Sequence, residues 1–168
     1  VVLSRGLGDV YKRQIFNLLG PHTNPCNAKR QILGVYDKGL LKTFGNVSNL
    51  LKMHHVLVVH GNDGLDEISI TDKTFVTELK DGNLNQFEIQ PEDFGLSRAN
   101  ITALKAETPE ESLELINAAF EGKESPVQDM ISLNAGASLY LSSASNSIKD
   151  GVSPVSYTHL TLPTISDV

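Results

Sequence analysis

A single cysteine, Cys26, stands among the 168 residues, so no internal disulfide can form, and no apolar run approaches the about 20 residues that a membrane span requires. A secretory signal is also missing, and these absences together point to a reducing cytoplasm. Basic residues are in short supply. The balance of 14 Lys and Arg against 20 Asp and Glu gives −6, which argues against wholesale affinity for nucleic acid or for an anionic membrane surface. No internal repeat, low-complexity tract or long linker interrupts the middle of the chain. What remains, 40% hydrophobic content over this length, suits about one globular domain with its own core.

The two ends depart from the pattern of the middle. Residues 1–14 read VVLSRGLGDVYKRQ and residues 155–168 read VSYTHLTLPTISDV. Asp9 to Gln14 can be encoded by GATGTGTATAAGAGACAG, and the opposite strand of that DNA contains GTCTCTTATACACATC, which encodes Val155 to His159 and begins a leucine codon. Homologous protein ends do not share one DNA in both directions. The pattern is that of a transposon-end sequencing adaptor translated around a coding fragment, so 1–14 and 154–168 are read as non-native flanks and 15–153 as the domain.

Within that domain the chain is organised around His60-Gly61-Asn62-Asp63-Gly64-Leu65-Asp66-Glu67-Ile68-Ser69-Ile70, which sets three carboxylates within five positions between two strand-forming runs. The preceding Val56-Leu57-Val58-Val59 is continuously apolar, as expected of a parallel strand covered on both faces near the middle of a sheet. Gly61 and Gly64 mark a tight loop at its carboxyl end, the place where open α/β sheets bind ligands. Neighbouring side chains on an extended segment point apart, so Asp66 and Glu67 could serve two metal ions, or one ion and a hydrogen-bonded neighbour. The same composition also describes a plain turn with solvated carboxylates.

Upstream, Gly20-Pro21 and Asn24-Pro25 break regular structure and define a rigid loop, either a wall around a flat ligand or a plain connection. Gln31 to Tyr36 reads as a strand, and Asp37 caps a helix expected from Lys38 to Met53 with Leu40, Leu41, Phe44, Val47, Leu50 and Leu51 on its buried face. This makes a βαβ unit with the apolar strand. His54 and His55 fall at the helix-to-strand junction, where favourable interaction with the helix C-terminus explains them as well as a chemical role would. Beyond the acidic loop, Ile68 and Ile70, then Phe75 to Leu79, then Leu84 to Ile89 alternate as strands, with Asp81-Gly82 a hairpin turn. Thr108-Pro109-Glu110-Glu111 and Ser125-Pro126-Val127-Gln128 announce two capped helices, the first with a stripe of Leu113, Ile116 and Phe120, the second rich in small residues from Leu133 to Tyr140. The expected class is α/β: a central mostly parallel sheet with an added antiparallel hairpin and flanking helices.

Five segments carry a resemblance: IFNLLGPHTNP at 15–25, KRQILGVYD at 29–37, LVVHGNDGLDEISIT at 57–71, PEDFGL at 91–96 and LNAGASLYL at 133–141. In order and spacing they resemble the anthranilate phosphoribosyltransferase family, over nearly all of 15–153. That implies the large domain of a nucleoside phosphorylase or phosphoribosyltransferase type fold, without its amino-terminal helical domain. It also implies transfer of the phosphoribosyl group of phosphoribosyl pyrophosphate to anthranilate, releasing pyrophosphate, in tryptophan biosynthesis. Asp66 and Glu67 match the acidic pair that holds magnesium against the pyrophosphate, and Pro21 matches the loop walling the anthranilate channel. The resemblance assigns no nucleophilic residue, because the substrate amine attacks directly. The family's glycine-rich phosphate loop is not among these residues, and the position of its anthranilate-binding arginine falls on Leu7. Without that loop and that arginine the fragment is expected to be inactive, and because such enzymes are usually homodimers through their amino-terminal helices, it is expected to lack that dimer. A pyrimidine nucleoside phosphorylase and a noncatalytic nucleic-acid-binding relative of the fold are the alternatives.

Overall fold

The computed structural model describes residues 20–23 and 26–157, with the backbone alone for Pro21 and residues 154–157. The first expected flank with Leu7, the Ile15 to Leu19 run, Asn24-Pro25 and residues 158–168 lie outside the described residues.

Four strands form one sheet in the order β1-β2-β3-β4: β1 Arg30–Gly34, β2 His55–Gly61, β3 Thr74–Lys80 and β4 Asn83–Ile89. β1 runs parallel to β2 with Ile32 opposite Leu57, whereas β2 with β3 and β3 with β4 are antiparallel. The parallel part expected from the sequence is therefore a single pair among the described residues, and the hairpin supplies the rest of a mixed sheet. The hairpin turn is where Asp81-Gly82 placed it, both residues having positive φ, 49° and 83°.

The middle of β2, Val56 to Val59, is wholly apolar because both of its faces are covered. Val56, Leu57, Val58 and Val59 are all 0% exposed, and their side chains alternate between two cores. Val56 and Val58 join Leu33, Val35, Leu41, Phe44, Met53, Phe75 and Leu79 on the face under helix α1, Leu41–Leu50. Leu57 and Val59 join Ile68, Ile70, Val76 and Ile89 on the other face, beneath helices α3, Pro126–Leu141, and α4, Ile148–Tyr157. The backbone of α4 continues past Ser153, the expected boundary, to Tyr157. Helix α2, Pro109–Phe120, packs against α3.

Three local expectations change in the fold. The helix after Asp37 opens as a 3-10 turn, Lys38–Leu40, with Asp37 accepting from the Gly39 N–H at 2.7 Å, and ends at Leu50. Leu50 and Leu51 are 81% and 45% exposed rather than buried, because the helix turns its last apolar pair away from the sheet. His55 answers to the sheet rather than to the helix end: it is the buried first residue of β2, its Nε2–H donates to Glu78 Oε1 at 2.8 Å, and its ring meets Tyr140 edge-on. The Tyr140 hydroxyl donates to the same carboxylate oxygen, so this trio ties α3 to β2 and β3.

Both capped helices start where expected. Thr108 Oγ1 accepts from the Glu111 N–H at 3.1 Å and Ser125 Oγ from the Gln128 N–H at 3.2 Å, each with proline at the first helical position. The Glu111 carboxylate reaches the N–H of Glu107, one residue before the cap. Thr108→Ala should therefore lower stability by about 1 kcal/mol. The urea midpoint should fall with an unchanged slope, and an unmoved midpoint would show that this cap holds nothing in place.

Candidate functional site

β1 and β2 both point their carboxyl ends at the acidic loop, and β1 ends in Gly34 because nothing larger fits there. A Cβ on Gly34 would lie 1.7 Å from the carbonyl oxygen of Asp66. The backbone of the loop thus rests directly on the end of the neighbouring strand. His60, the next-to-last residue of β2, donates from Nδ1 to the Val35 carbonyl at 2.8 Å and fixes the chain just after β1.

The three carboxylates of the loop take different roles. Asp63 turns inward: Oδ2 accepts from the hydroxyls of Ser69 and Thr71, and Oδ1 from the Leu65 N–H at 3.1 Å. Burial alone would raise the pKa of Asp63, but the hydrogen bonds from Ser69, Thr71 and Leu65 outweigh it and hold the group below the ordinary carboxylate value. The loop is closed further by Gly61 N–H to Leu65 O at 2.8 Å and Asn62 N–H to Lys73 O at 2.8 Å. Asp66 and Glu67 are exposed instead, and neither carboxylate has a hydrogen-bond or ion-pair partner among the described residues.

The strand expected at Ile68 and Ile70 does not form. Ile68, Ser69 and Ile70 are all buried, at 1%, 1% and 0% exposure, in an irregular segment. Ser69 survives burial because its hydroxyl is satisfied by Asp63 and its N–H by Thr74 Oγ1 at 2.9 Å, so side chains take the place of a ladder. Ile68 finds its partners on α3: Asn134 Oδ1 accepts its N–H at 3.1 Å and Asn134 Nδ2 donates to its carbonyl at 2.9 Å. Beside this clamp lies a cavity of about 380 Å³ lined by Glu67, Leu104, Ile116, Val127, Met130, Ile131 and Asn134. Next to the loop, Arg98 bridges Asp72 and Glu92, both at 3.1 Å. The Asn62 amide beside Asp72, followed by the Lys73 N–H and Arg98, keeps that carboxylate below its usual value.

Asp66 and Glu67 thus stand as an exposed pair of carboxylates at the carboxyl end of a central strand, on a loop locked by Asp63. Residues 7–159 match the family described as "Glycosyl transferase family, a/b domain". The chain belongs to this family. Within it, the chain is similar to the anthranilate phosphoribosyltransferase of Chromohalobacter salexigens, 47% identical over 140 residues that cover 83% of this chain and 40% of that protein. The crystal structure of the Thermus thermophilus enzyme of the same name superimposes with a TM-score of 0.76 at 36% identity, covering 84% of this chain and 42% of that one. The Saccharomyces cerevisiae enzyme in complex with PRPP and Mg gives a TM-score of 0.66 at 27% identity, covering 76% of this chain and 37% of its own. The chain thus spans about two fifths of the length of these relatives.

As a donor set, Asp66 and Glu67 suit a hard divalent cation. Magnesium keeps several waters and is held through one or two carboxylates together with the oxygens of substrate phosphates. Among the described residues no group of three or more His, Cys, Asp or Glu side chains is placed to hold a metal, so a cation here would take its protein ligands from this pair. Pro21 lies in the 3-10 turn Gly20–His22, which is fastened to α1 by His22 Nε2 against Ser48 Oγ at 3.2 Å and by the His22 ring against Phe44. Sequence reasoning missed the inward role of Asp63 and the clamp by Asn134. The available signal for the second was a lone amide in a run of small and apolar residues, LNAGASL.

The Asp63 knot has a pH signature. Its folded pKa lies below the unfolded value, so its stabilisation is complete above the ordinary carboxylate value of about 3.9 and is lost as pH falls through the folded value. Asp63→Asn should cost about 1.5–3 kcal/mol at pH 7, the range for hydrogen bonds to a charged group, and the gap from wild type should narrow in acid. A gap that stays constant between pH 7 and pH ~3 in urea titrations would show that the charge of Asp63 is not what holds the loop.

Proposed function

We propose that this chain supplies the carboxylate side of an anthranilate phosphoribosyltransferase site, in which the phosphoribosyl group of phosphoribosyl pyrophosphate passes to the amine of anthranilate. The observation that carries the reading is the unpartnered pair Asp66 and Glu67, presented at the end of β2 by a loop whose third carboxylate is consumed in holding it. The bond from the ribose carbon to pyrophosphate oxygen breaks, a bond from the amine nitrogen to that carbon forms, and the amine loses a proton. Bound magnesium would neutralise the negative charge that gathers on the departing pyrophosphate.

The protein's share of the work is positioning and electrostatics. Asp66 and Glu67 would hold the cation, Asp63 keeps the loop from relaxing, and Pro21 in its turn would wall the aromatic acceptor. No side chain here needs to act as nucleophile. Support for the substrate class comes from the shared family, from relatives that carry the enzyme's name, and from the yeast neighbour complexed with PRPP and Mg. The test joins this chain to the remaining part of a relative and follows magnesium-dependent formation of fluorescent phosphoribosyl-anthranilate. Turnover that survives Asp66→Asn with Glu67→Gln, or that ignores magnesium, would overturn the reading.

A further inference from the structure

We propose that Asn134 is a positioning residue for the cation-binding pair, setting Asp66 and Glu67 through the backbone of Ile68; this rests on the metal role given to that pair above. The segment from Leu65 to Lys73 is not a strand, so the buried N–H and C=O of Ile68 have no ladder partners. Leaving either unsatisfied would cost about 1–3 kcal/mol, and one side chain satisfies both. Asn134 Oδ1 accepts the Ile68 N–H at 3.1 Å, while Nδ2 donates to the Ile68 carbonyl at 2.9 Å and to the Met130 carbonyl of its own helix at 3.0 Å. Both amide hydrogens and one acceptor position are used. The ring closed with Ile68 copies the pairing of a neighbouring strand and admits one orientation of the amide.

Two further features make this clamp bear on the carboxylates rather than on the fold at large. Ile68 is the residue after Glu67, so its N–H belongs to the peptide that also carries the Glu67 carbonyl, and Asn134 and Glu67 line the same cavity. The helix that carries Asn134 is itself rigidly seated. Leu133, Ala137 and Leu141 are buried against the sheet, the Tyr140 hydroxyl donates to Glu78 at 2.8 Å, and Arg30 donates to the Leu141 carbonyl at 2.5 Å. On the opposite side the Asp66 carbonyl rests on Gly34. The pair is therefore held between a strand end and a helix, as outer groups hold the ligands of a metal site.

The experiment uses the 168-residue chain with Mn²⁺ alone as probe, counting free Mn²⁺ by its electron paramagnetic resonance signal. Asp66→Asn with Glu67→Gln should remove the binding. Asn134→Leu, which keeps the branched shape and loses every side-chain hydrogen bond, should weaken Mn²⁺ by about 10-fold or more, the effect of losing an outer-shell partner. Exchange of the Ile68 amide hydrogen should rise in the same variant. Thr108→Ala, destabilised at a helix cap that has no hydrogen bond to the loop or to Asn134, should bind Mn²⁺ as wild type does, which separates positioning from a general loss of stability. Asn134→Ala, with its better helix propensity, takes the place of the leucine variant if that one does not fold. A folded Asn134 variant that binds Mn²⁺ within about twofold of wild type, while the carboxylate variant does not bind, overturns the positioning role alone. Wild-type chain that does not bind Mn²⁺, or binding that the carboxylate variant retains, overturns the metal reading and this inference with it.

Discussion

Gly34→Ala should destabilise the chain by more than about 3 kcal/mol, beyond the usual range for an overpacked site. Replacing glycine with alanine in a compatible conformation normally stabilises by about 0.4–1 kcal/mol, because the unfolded chain loses freedom. Here the opposing term is far larger. The new Cβ would sit 1.7 Å from the Asp66 oxygen and 2.7 Å from its carbonyl carbon, and both are backbone atoms with no rotamer through which to retreat. Either β1 leaves its register with β2, in which Gly34 pairs with Val59, or the acidic loop lifts away from the strand. Both routes disturb the segment carrying Asp66 and Glu67, so Mn²⁺ affinity should fall with stability. Gly20→Ala is the matching control, because a Cβ there meets nothing within 4 Å. A urea midpoint for Gly34→Ala equal to that of Gly20→Ala would mean that the loop does not rest on β1.

The parts of this fold that could be read from sequence are those whose causes are local. β2 showed itself because four adjacent aliphatic residues suit no half-exposed element, and the structure covers both of its faces. The hairpin turn and the two helix starts were legible for a similar reason: a turn needing positive φ, or an orphan N–H needing a cap, restricts the residues at one position and its immediate neighbours. Elements fixed by residues far away in the chain were read wrongly or not at all. Ile68 and Ile70 alternate like a strand, yet a strand requires a partner, and here the partners are Asn134 from α3, Thr74, and the Ala99 N–H on the Ile70 carbonyl. His55 carries no mark of Glu78, which is 23 residues on and faces it only once β2 and β3 have paired. The candidate site divides along the same line. That Asp63, Asp66 and Glu67 cluster is visible in eleven letters, but which of them is spent on the loop depends on the hydroxyls of Ser69 and Thr71 folding back over it.

That division of roles sets the largest expected effect on activity. In a chain completed with the remaining part of a relative, Asp66→Asn with Glu67→Gln should lower magnesium-dependent kcat/KM by about 10²–10³-fold, comparable to removing a group that stabilises charge in a transition state. The argument rests on where the two side chains stand. Both are exposed and make no hydrogen bond or ion pair within the described residues, so neutral replacements of the same shape leave no buried partner unsatisfied and should hardly move the urea midpoint. Asp63→Asn should show the reverse order, with stability falling first and activity following only as far as the loop loosens. The two variants thus separate a carboxylate that binds from a carboxylate that builds. In the Asp66 and Glu67 variant the loss should be partly relieved by raising magnesium if it stems from weaker cation binding, since the neutral amides keep their oxygen acceptors. Measuring kcat/KM across a magnesium titration, with circular dichroism and urea unfolding on the same samples, decides the matter. A stable, fully active double variant would place the cation elsewhere, and a double variant that unfolds would show that these charges, like that of Asp63, belong to the architecture of the loop.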